Sequence, residues 1–375
     1  MDEKFYRRYC DLKVRVAPYR MKDDYETIKT VAAIDALADH AEVLTHGEDV
    51  GRFGWNKMNQ IETEPLFSLA LNLLEAMEEG EEPLRGYFAE PGGALIDHSF
   101  VIEDGKIHVF YNRGYIGYDW PERFVDSIGH AVSEDLIHWD IKPPVLTAQK
   151  GGHDDYQVWS PGVVEHDGCY WMFYTGVNYN IAQAPCLAKS KDLYHWERSG
   201  SSPLFIPGEW CPWSPDKWSD GRDGMVFADD DGTFYMYYCS SCIMEDGSGA
   251  TAMGIASSRD MYHWKDEGCF RLEECKLSPE SPYVIKHNGL YYMFYTNCEK
   301  GGTYYATSAN PITGWVEKGE ALPGVSCSEV FEFKGKWYIS GCAHKGGGMH
   351  FLVLYEFTWN KDGSVSVSTE LYGTK

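Results

Sequence analysis

Three acidic residues stand at nearly the same place in a repeated pattern. Asp97, Asp223 and Glu280 lie 8, 9 and 9 residues ahead of Gly105, Gly232 and Gly289. Carboxylates gathered at one point repel one another, and burial disfavours their charged forms. At least one of them must therefore keep its proton to unusually high pH. A carboxylic acid beside a carboxylate at the same pH is what glycoside hydrolysis needs. Any one of these acids alone could cap a turn or pair with Arg222. Three at matching offsets point to catalysis.

The offsets end at glycines that close hairpins. "SPGVVEHDGCYWMFYT" from Ser160 and "ESPYVIKHNGLYYMFYT" from Glu280 are the clearest copies. Related segments begin at Asp97, Arg222 and Ser328. Each reads as a short apolar strand, a turn ending in Gly105, Gly168, Gly232, Gly289 or Gly335, and an aromatic strand. The turn glycines are separated by 63, 64, 57 and 46 residues. A second marker follows the first four hairpins: "SEDLIHW", "SKDLYHW", "SRDMYHW" and a shorter "TGW", ending in Trp139, Trp196, Trp264 and Trp315. Five copies of a four-stranded unit describe an all-β fold, a five-bladed β-propeller, over residues 91–375. A β-sandwich has no reason to repeat a turn and a tryptophan in step. The first strand of each blade lines the central channel, so the three acids converge there. The four marker tryptophans are expected to pack between blades.

Residues 1–90 read as a small N-terminal helical arm. Ile28, Val31, Ala32 and Leu37 fall at helical spacing. Thr63 can cap a second helix, with Pro65 in its first turn. Leu66, Leu69, Ala70, Leu73, Leu74 and Met77 line one face, and Gly80 stops it. An irregular aromatic stretch with Phe53 and Trp55 lies between. The arm either packs on the main domain or helps to build a homo-oligomer.

Charge excludes several partners. Thirty-three basic against 57 acidic residues give −24, which repels nucleic acid and anionic membrane surfaces. No apolar run approaches the 18 or so residues of a membrane span. The first ten residues mix charges and lack the apolar stretch of a signal peptide. The 11 cysteines are odd in number and sit mostly in strand-like runs, so reduced thiols in a cytoplasmic protein are expected. Cys239 and Cys242 have no second pair with zinc-site spacing.

These motifs resemble the propeller glycoside hydrolases of family 43 and its relative, family 32, over residues 91–345. The family 43 order is an Asp in the first blade, Trp-Ala-Pro in the second, Asp-Pro before a "DDDG" turn in the third, and Glu-Gly-Pro in the fourth. Here those positions read Asp97-His98, Trp159-Ser160-Pro161, Asp223-Gly224 before Asp229-Asp230-Asp231-Gly232, and Glu280-Ser281-Pro282. The resemblance implies Asp97 as general base, Glu280 as general acid, and Asp223 as the residue that tunes and orients Glu280. It implies hydrolysis of arabinofuranosides or xylosides with inversion. Arg222 before Asp223 is closer to the Arg-Asp-Pro element of family 32, which makes a retaining fructoside hydrolase the alternative. That family's Asn-Asp-Pro-Asn is absent, and Ser281 stands where it has Cys. Carboxyl separations of roughly 6.5–9.5 Å imply inversion and about 5–5.5 Å retention.

Sugar recognition needs flat aromatic faces and a few polar contacts. Trp159 is the expected platform, with Arg222 and His98 on sugar hydroxyls. An insertion from Asn112 brings Trp120 to the pocket wall, and another brings Trp210, Trp213 and Trp218 near the mouth. Such loops suit a closed exo site taking an oligosaccharide or glycoside. His344 lies in the fifth blade, where some family 43 propellers hold a cation. One residue does not make a site, so neither metal nor cofactor is expected. A non-catalytic sugar-binding propeller would have lost one of the acids. A propeller phosphorylase would need a basic cluster, and only Arg222 and Arg113 offer one.

Overall fold

The computed structural model describes residues 3–46, 62–117, 125–272, 275 and 278–374. Five antiparallel sheets follow one another along the chain, each running outward from an innermost strand. Blade 1 comprises β1 (Gly93–Glu103), β2 (Lys106–Tyr115), β3 (Ser127–Ser133) and β4 (Trp139–Thr147). Blade 2 comprises β5 (Gln157–His166), β6 (Cys169–Val177), β7 (Gln183–Ser190) and β8 (Glu197–Arg198). Blade 3 comprises β9 (Gly221–Ala228), β10 (Phe234–Ile243), β11 (Gly249–Ser258) and β12 (Trp264–Phe270). Blade 4 comprises β13 (Pro279–His287), β14 (Leu290–Asn297), β15 (Gly302–Ser308) and β16 (Val316–Pro323). In blade 5 the innermost strand is split into β17 (Val325–Ser326) and β18 (Val330–Phe333). Both pair with β19 (Lys336–His344), which leads to β20 (His350–Trp359) and β21 (Val365–Leu371).

The inner hairpins form because two consecutive residues accept left-handed backbone. Asp104-Gly105, Asp167-Gly168, Asn288-Gly289 and Lys334-Gly335 all have positive φ, as two-residue turns matched to strand twist require. The third turn differs: Asp229–Thr233 makes a longer loop, closed by the Asp229 N–H on the Thr233 carbonyl at 2.9 Å. The tryptophans sit in the seams between blades. Trp196 packs edge-on against Phe110 of the preceding blade, and Trp264 and Trp315 do the same to Phe173 and Tyr237.

Among the described residues three α-helices precede the propeller: α1 (Glu3–Val16), α2 (Tyr25–Thr45) and α3 (Thr63–Glu78). The first is an addition to the sequence reading. Only Phe5, Leu12 and Val16 of α1 are buried, too sparse a stripe among its charges to stand out. Glu62, not Thr63, takes the cap position of α3, and its side chain makes no capping bond. Phe53 and Trp55 lie outside the described residues. All three helices share one core with Leu95, Val109 and Tyr111 of blade 1 and Met349, Phe351 and Leu352 of blade 5. They therefore cover the seam where the first and last blades meet. Phe88 and Leu352 exchange backbone hydrogen bonds of 2.9 and 2.8 Å across that seam.

Candidate active site

Each innermost strand of the first four blades breaks its ladder once, near the same end of the channel. The extra residues are Ile96-Asp97, Ser160-Pro161, Asp223-Gly224 and Ser281-Pro282. In the fifth blade the break falls at Cys327, between β17 and β18. Ser160, Asp223, Ser281 and Cys327 all have φ between 46° and 61°. Left-handed backbone is costly for such residues, and bulges of this kind re-aim side chains beside functional sites. The channel is narrow here: a Cβ on Gly162 would come 2.9 Å from the Gly224 carbonyl oxygen.

The bulges correct the matched offsets read from the sequence. Glu280 lies just before its bulge and pairs with Thr296, Asp223 is first within its bulge, and Asp97 is second within its own. The long third turn hides this stagger when residues are counted to the glycines. The acids meet because the bulges offset them, and the positions matching Asp223 in blades 2 and 4 hold Ser160 and Ser281.

Those serines tie the acids together. The Ser281 hydroxyl donates to Asp97 Oδ1 at 2.6 Å, and Asn112 Nδ2 donates to Asp97 Oδ2 at 2.9 Å. The Ser281 backbone N–H donates to Asp223 Oδ2 at 3.1 Å. Ser160 Oγ lies 2.9 Å from Asp97 Oδ2 and 2.7 Å from Asp223 Oδ1. A hydroxyl has one hydrogen and can donate to only one of them. Burial, and next the charge of Asp97, push Asp223 up to about 7, with Glu280 adding to the rise and Arg222 and the Ser160 hydroxyl opposing it. Asp223 thus keeps its proton to higher pH than an ordinary carboxyl.

Arg222 organises the other side. Its guanidinium donates to Glu280 Oε1 at 2.7 Å, Ser278 Oγ at 2.9 Å, Asp220 Oδ1 at 2.5 Å and Gln183 Oε1 at 3.1 Å. Its Nε lies 3.8 Å from Asp223 Oδ2. Asp97, Asp223, Glu280, Arg222 and Trp159 all line one pocket of about 330 Å³, a size suited to a small ligand. Asn112, Thr296, Ser326, Cys327 and His350 also line it. The Trp159 ring is set by its Nε1 donating to Gln157 Oε1 at 3.0 Å.

His98 does not reach this pocket, which corrects its assignment to a sugar hydroxyl. It follows the bulge that carries Asp97. It is buried in the channel below, with Nε2 2.7 Å from Ser340 Oγ and Nδ1 3.2 Å from the Ile96 carbonyl. Burial lowers it to about 4. Trp120 lies outside the described residues. Trp210 and Trp213 fold their loop onto the protein by donating to Asp266 and to the Gln183 carbonyl. Trp218 donates to Asp220 and leaves much of its ring exposed. Arg113 is engaged by Glu90 at 2.8 Å.

His344 is exposed and stacks on His350 at the rim, with ring centroids 4.4 Å apart. No cluster of three His, Cys, Asp or Glu among the described residues has the geometry to hold a metal.

The sequence reading missed Asn112, Thr296, Ser326, Cys327 and His350. Asn112 sits on β2 opposite a bulge and Thr296 on β14 beside one, positions legible only once the register is known. His350 carried a signal, the glycine-rich hairpin it shares with His344.

Comparison with known proteins adds the following. The family described as "Glycosyl hydrolases family 32 N-terminal domain" matches residues 82–280, and "Glycosyl hydrolases family 43" matches residues 220–370. A xylosidase/arabinosidase of Bacteroides ovatus is 25% identical over 320 residues, which cover 73% of this chain and 95% of that protein. A beta-fructofuranosidase of Arabidopsis thaliana is 28% identical over 155 residues, 38% of this chain and 25% of its own length. The solved structure of a thermostable family-43 glycoside hydrolase superposes with a TM-score of 0.62, at 19% identity over 76% of this chain and 95% of that one.

Proposed function

We propose that this chain, which belongs to the five-bladed propeller glycoside hydrolases that include families 32 and 43, releases terminal pentosyl residues from oligosaccharides with inversion. The carrying observation is the convergence of Asp97, Asp223 and Glu280, from three blades, on one pocket. In this reading Asp97 takes a proton from water, and the water oxygen bonds to the anomeric carbon. The glycosidic bond breaks as Glu280 gives its proton to the leaving oxygen. One proton enters at Asp97 and one leaves Glu280, so the pair must be reset before the next turnover.

Asp223 serves as a positioning residue. It accepts from the N–H of Ser281, the residue after Glu280, and so fixes the strand that carries the acid. Its proton keeps one negative charge out of the pocket. Arg222 holds Glu280 before substrate enters. In this reading substrate draws Arg222 onto a sugar hydroxyl, which frees Glu280 for the leaving oxygen.

Pentosides are favoured because the similarity to the xylosidase/arabinosidase runs through 95% of that relative, whereas the fructosidase likeness covers a quarter of its own. Hydrolysis is favoured over phosphorolysis because Arg222 and Arg113 already serve carboxylates. The eleven cysteines form no disulfides, which supports a reducing, cytoplasmic setting.

The test is a panel of aryl and oligomeric arabinofuranosides, xylosides and fructosides with the parent, Asp97→Asn and Glu280→Gln. NMR of the first-formed anomer separates inversion from retention. Wild-type rates from both variants, on whatever the parent cleaves, would sink the assignment.

A further inference from the structure

The helical arm begins outside the region that matches known glycosidases, yet it reaches the pocket wall. The hairpin joining β19 to β20 contains Gly346, Gly347 and Gly348, all with left-handed φ of 83°, 59° and 73°. The helices press directly on it. A Cβ on Gly347 would lie 2.7 Å from Leu37 of α2 and 2.9 and 3.0 Å from Leu69 and Leu66 of α3. After the hairpin, Met349 and Phe351 are buried in the core they share with those helices. His350 stands between them and, by strand alternation, faces the other way. It lines the pocket with Asp97 and Glu280, and its Nδ1 lies 3.5 Å from Cys342 Sγ. The same hairpin ties to blade 1: the Gly117 N–H donates to the Gly347 carbonyl at 2.9 Å. A Cβ on Gly117 would come 2.9 Å from the Cβ of His40 in α2.

We propose that the helical arm is part of the substrate-binding machinery: α2 and α3 seat the β19–β20 hairpin so that His350 presents its imidazole to a hydroxyl of the sugar in the pocket. Leu37, Leu66 and Leu69 are then positioning residues acting through His350. The glycines serve close approach, since any side chain at Gly347 would push the hairpin off the helices and swing His350. The inference rests on the glycosidase reading of this pocket.

A double-mutant cycle tests it, using the substrate that the parent cleaves best. His350→Ala should raise KM about tenfold with kcat within threefold, the loss of one hydrogen bond to bound sugar. Leu69→Ala, at a partly buried site, should raise KM about threefold. The double variant should be no worse than His350→Ala, because the leucine acts only through the histidine. Additive effects, or a Leu69→Ala protein with lowered Tm and unchanged KM, would overturn the proposal. Should Leu69→Ala lose the fold, Leu66→Val takes its place in the cycle. Asp97→Asn in the same assay separates the two failures. If it stays active, the glycosidase reading is wrong. If it is inactive and the cycle is additive, only the role of the arm is wrong.

Discussion

Two sets of acids recur through the blades, and they are held in opposite ways. Asp135, Asp192 and Asp260 sit in the Ser-x-Asp loops that end at the marker tryptophans. Asp97, Asp223 and Glu280 sit at the channel mouth. Both sets accompany left-handed backbone, at Leu136, Leu193 and Met261 in the first and at Ser160, Asp223 and Ser281 in the second. In the marker loops every acid has donors of its own. Asp192 accepts the N–H groups of Tyr194 and His195 at 2.9 and 2.8 Å and faces His195 Nδ1 at 2.7 Å. Asp260 repeats these contacts, and both acids are held well below the usual range, first of all by their histidines. At the mouth one donor is shared, the Ser160 hydroxyl between two carboxyls, and Asp223 is pushed up to about 7. An acid with private donors finishes a turn. Acids that share a donor are left with a proton to move.

The largest effects should come from splitting the mouth set by role. Glu280→Gln should lose about 10²–10⁴ in kcat on oligosaccharides, whose leaving oxygen needs a proton, but far less on aryl glycosides with acidic phenols. Asp97→Asn should be equally slow on both, since water must be activated either way. Equal losses for Glu280→Gln on the two substrate types would remove it as the acid.

Asp223 should cost less and show most clearly in pH. Asp223→Asn should lower kcat/KM about a hundredfold and remove a fall in activity above about pH 7. Its effect on stability has the opposite sign. A carboxyl at about 7 when folded and about 4 when unfolded binds more protons in the fold across that interval. Wild-type stability therefore declines as pH rises from 4 to 7, and the amide escapes the decline. The Tm of Asp223→Asn should exceed that of the parent increasingly toward pH 8, and a gap independent of pH would refute the raised acid.

Ser160→Ala is the finer probe. The hydroxyl favours the charged form of Asp223, so its loss should raise that pKa further. The alkaline limb of activity should move up in pH, with the rate lowered about tenfold. A limb that moves down would mean that Ser160 donates chiefly to Asp97.

How much of this was readable beforehand follows the same division. The blades were legible because their turns repeat local chemistry: Asp104-Gly105, Asp167-Gly168 and Asn288-Gly289 announce left-handed pairs. The acids were legible as a group because they recur with the turns. Their stagger was not, because a bulge adds a residue without changing composition, and the long Asp229–Thr233 turn compensated for it in the count. His98 was misplaced for the same reason, since its side of the strand depends on the bulge at Leu95–His98. Ser160 and Ser281 looked like mere departures from a family pattern, yet they carry the hydrogen bonds that couple the acids. The α1 helix was invisible because its three buried residues are widely spaced among charges.

The smallest effect belongs to the marker loops. Asp192→Ala should leave kcat/KM within twofold, since nothing in that loop touches the pocket. It strands the N–H groups of Tyr194 and His195 and frees Leu193 from a loop that fixes its φ of 68°. The loss resembles that of a helix cap, about 1 kcal/mol, and should lower Tm by about 2–4 °C at pH 7. Here the pKa is depressed in the fold, so the stabilisation is present above about pH 4 and lost as pH falls toward the folded value. The Tm gap between parent and variant should close between pH 5 and pH 2, the reverse of Asp223→Asn, whose gap opens as pH rises. If Asp192→Ala instead lowered kcat/KM tenfold at a temperature where it stays folded, the two sets of acids would not be separable by how their donors are shared.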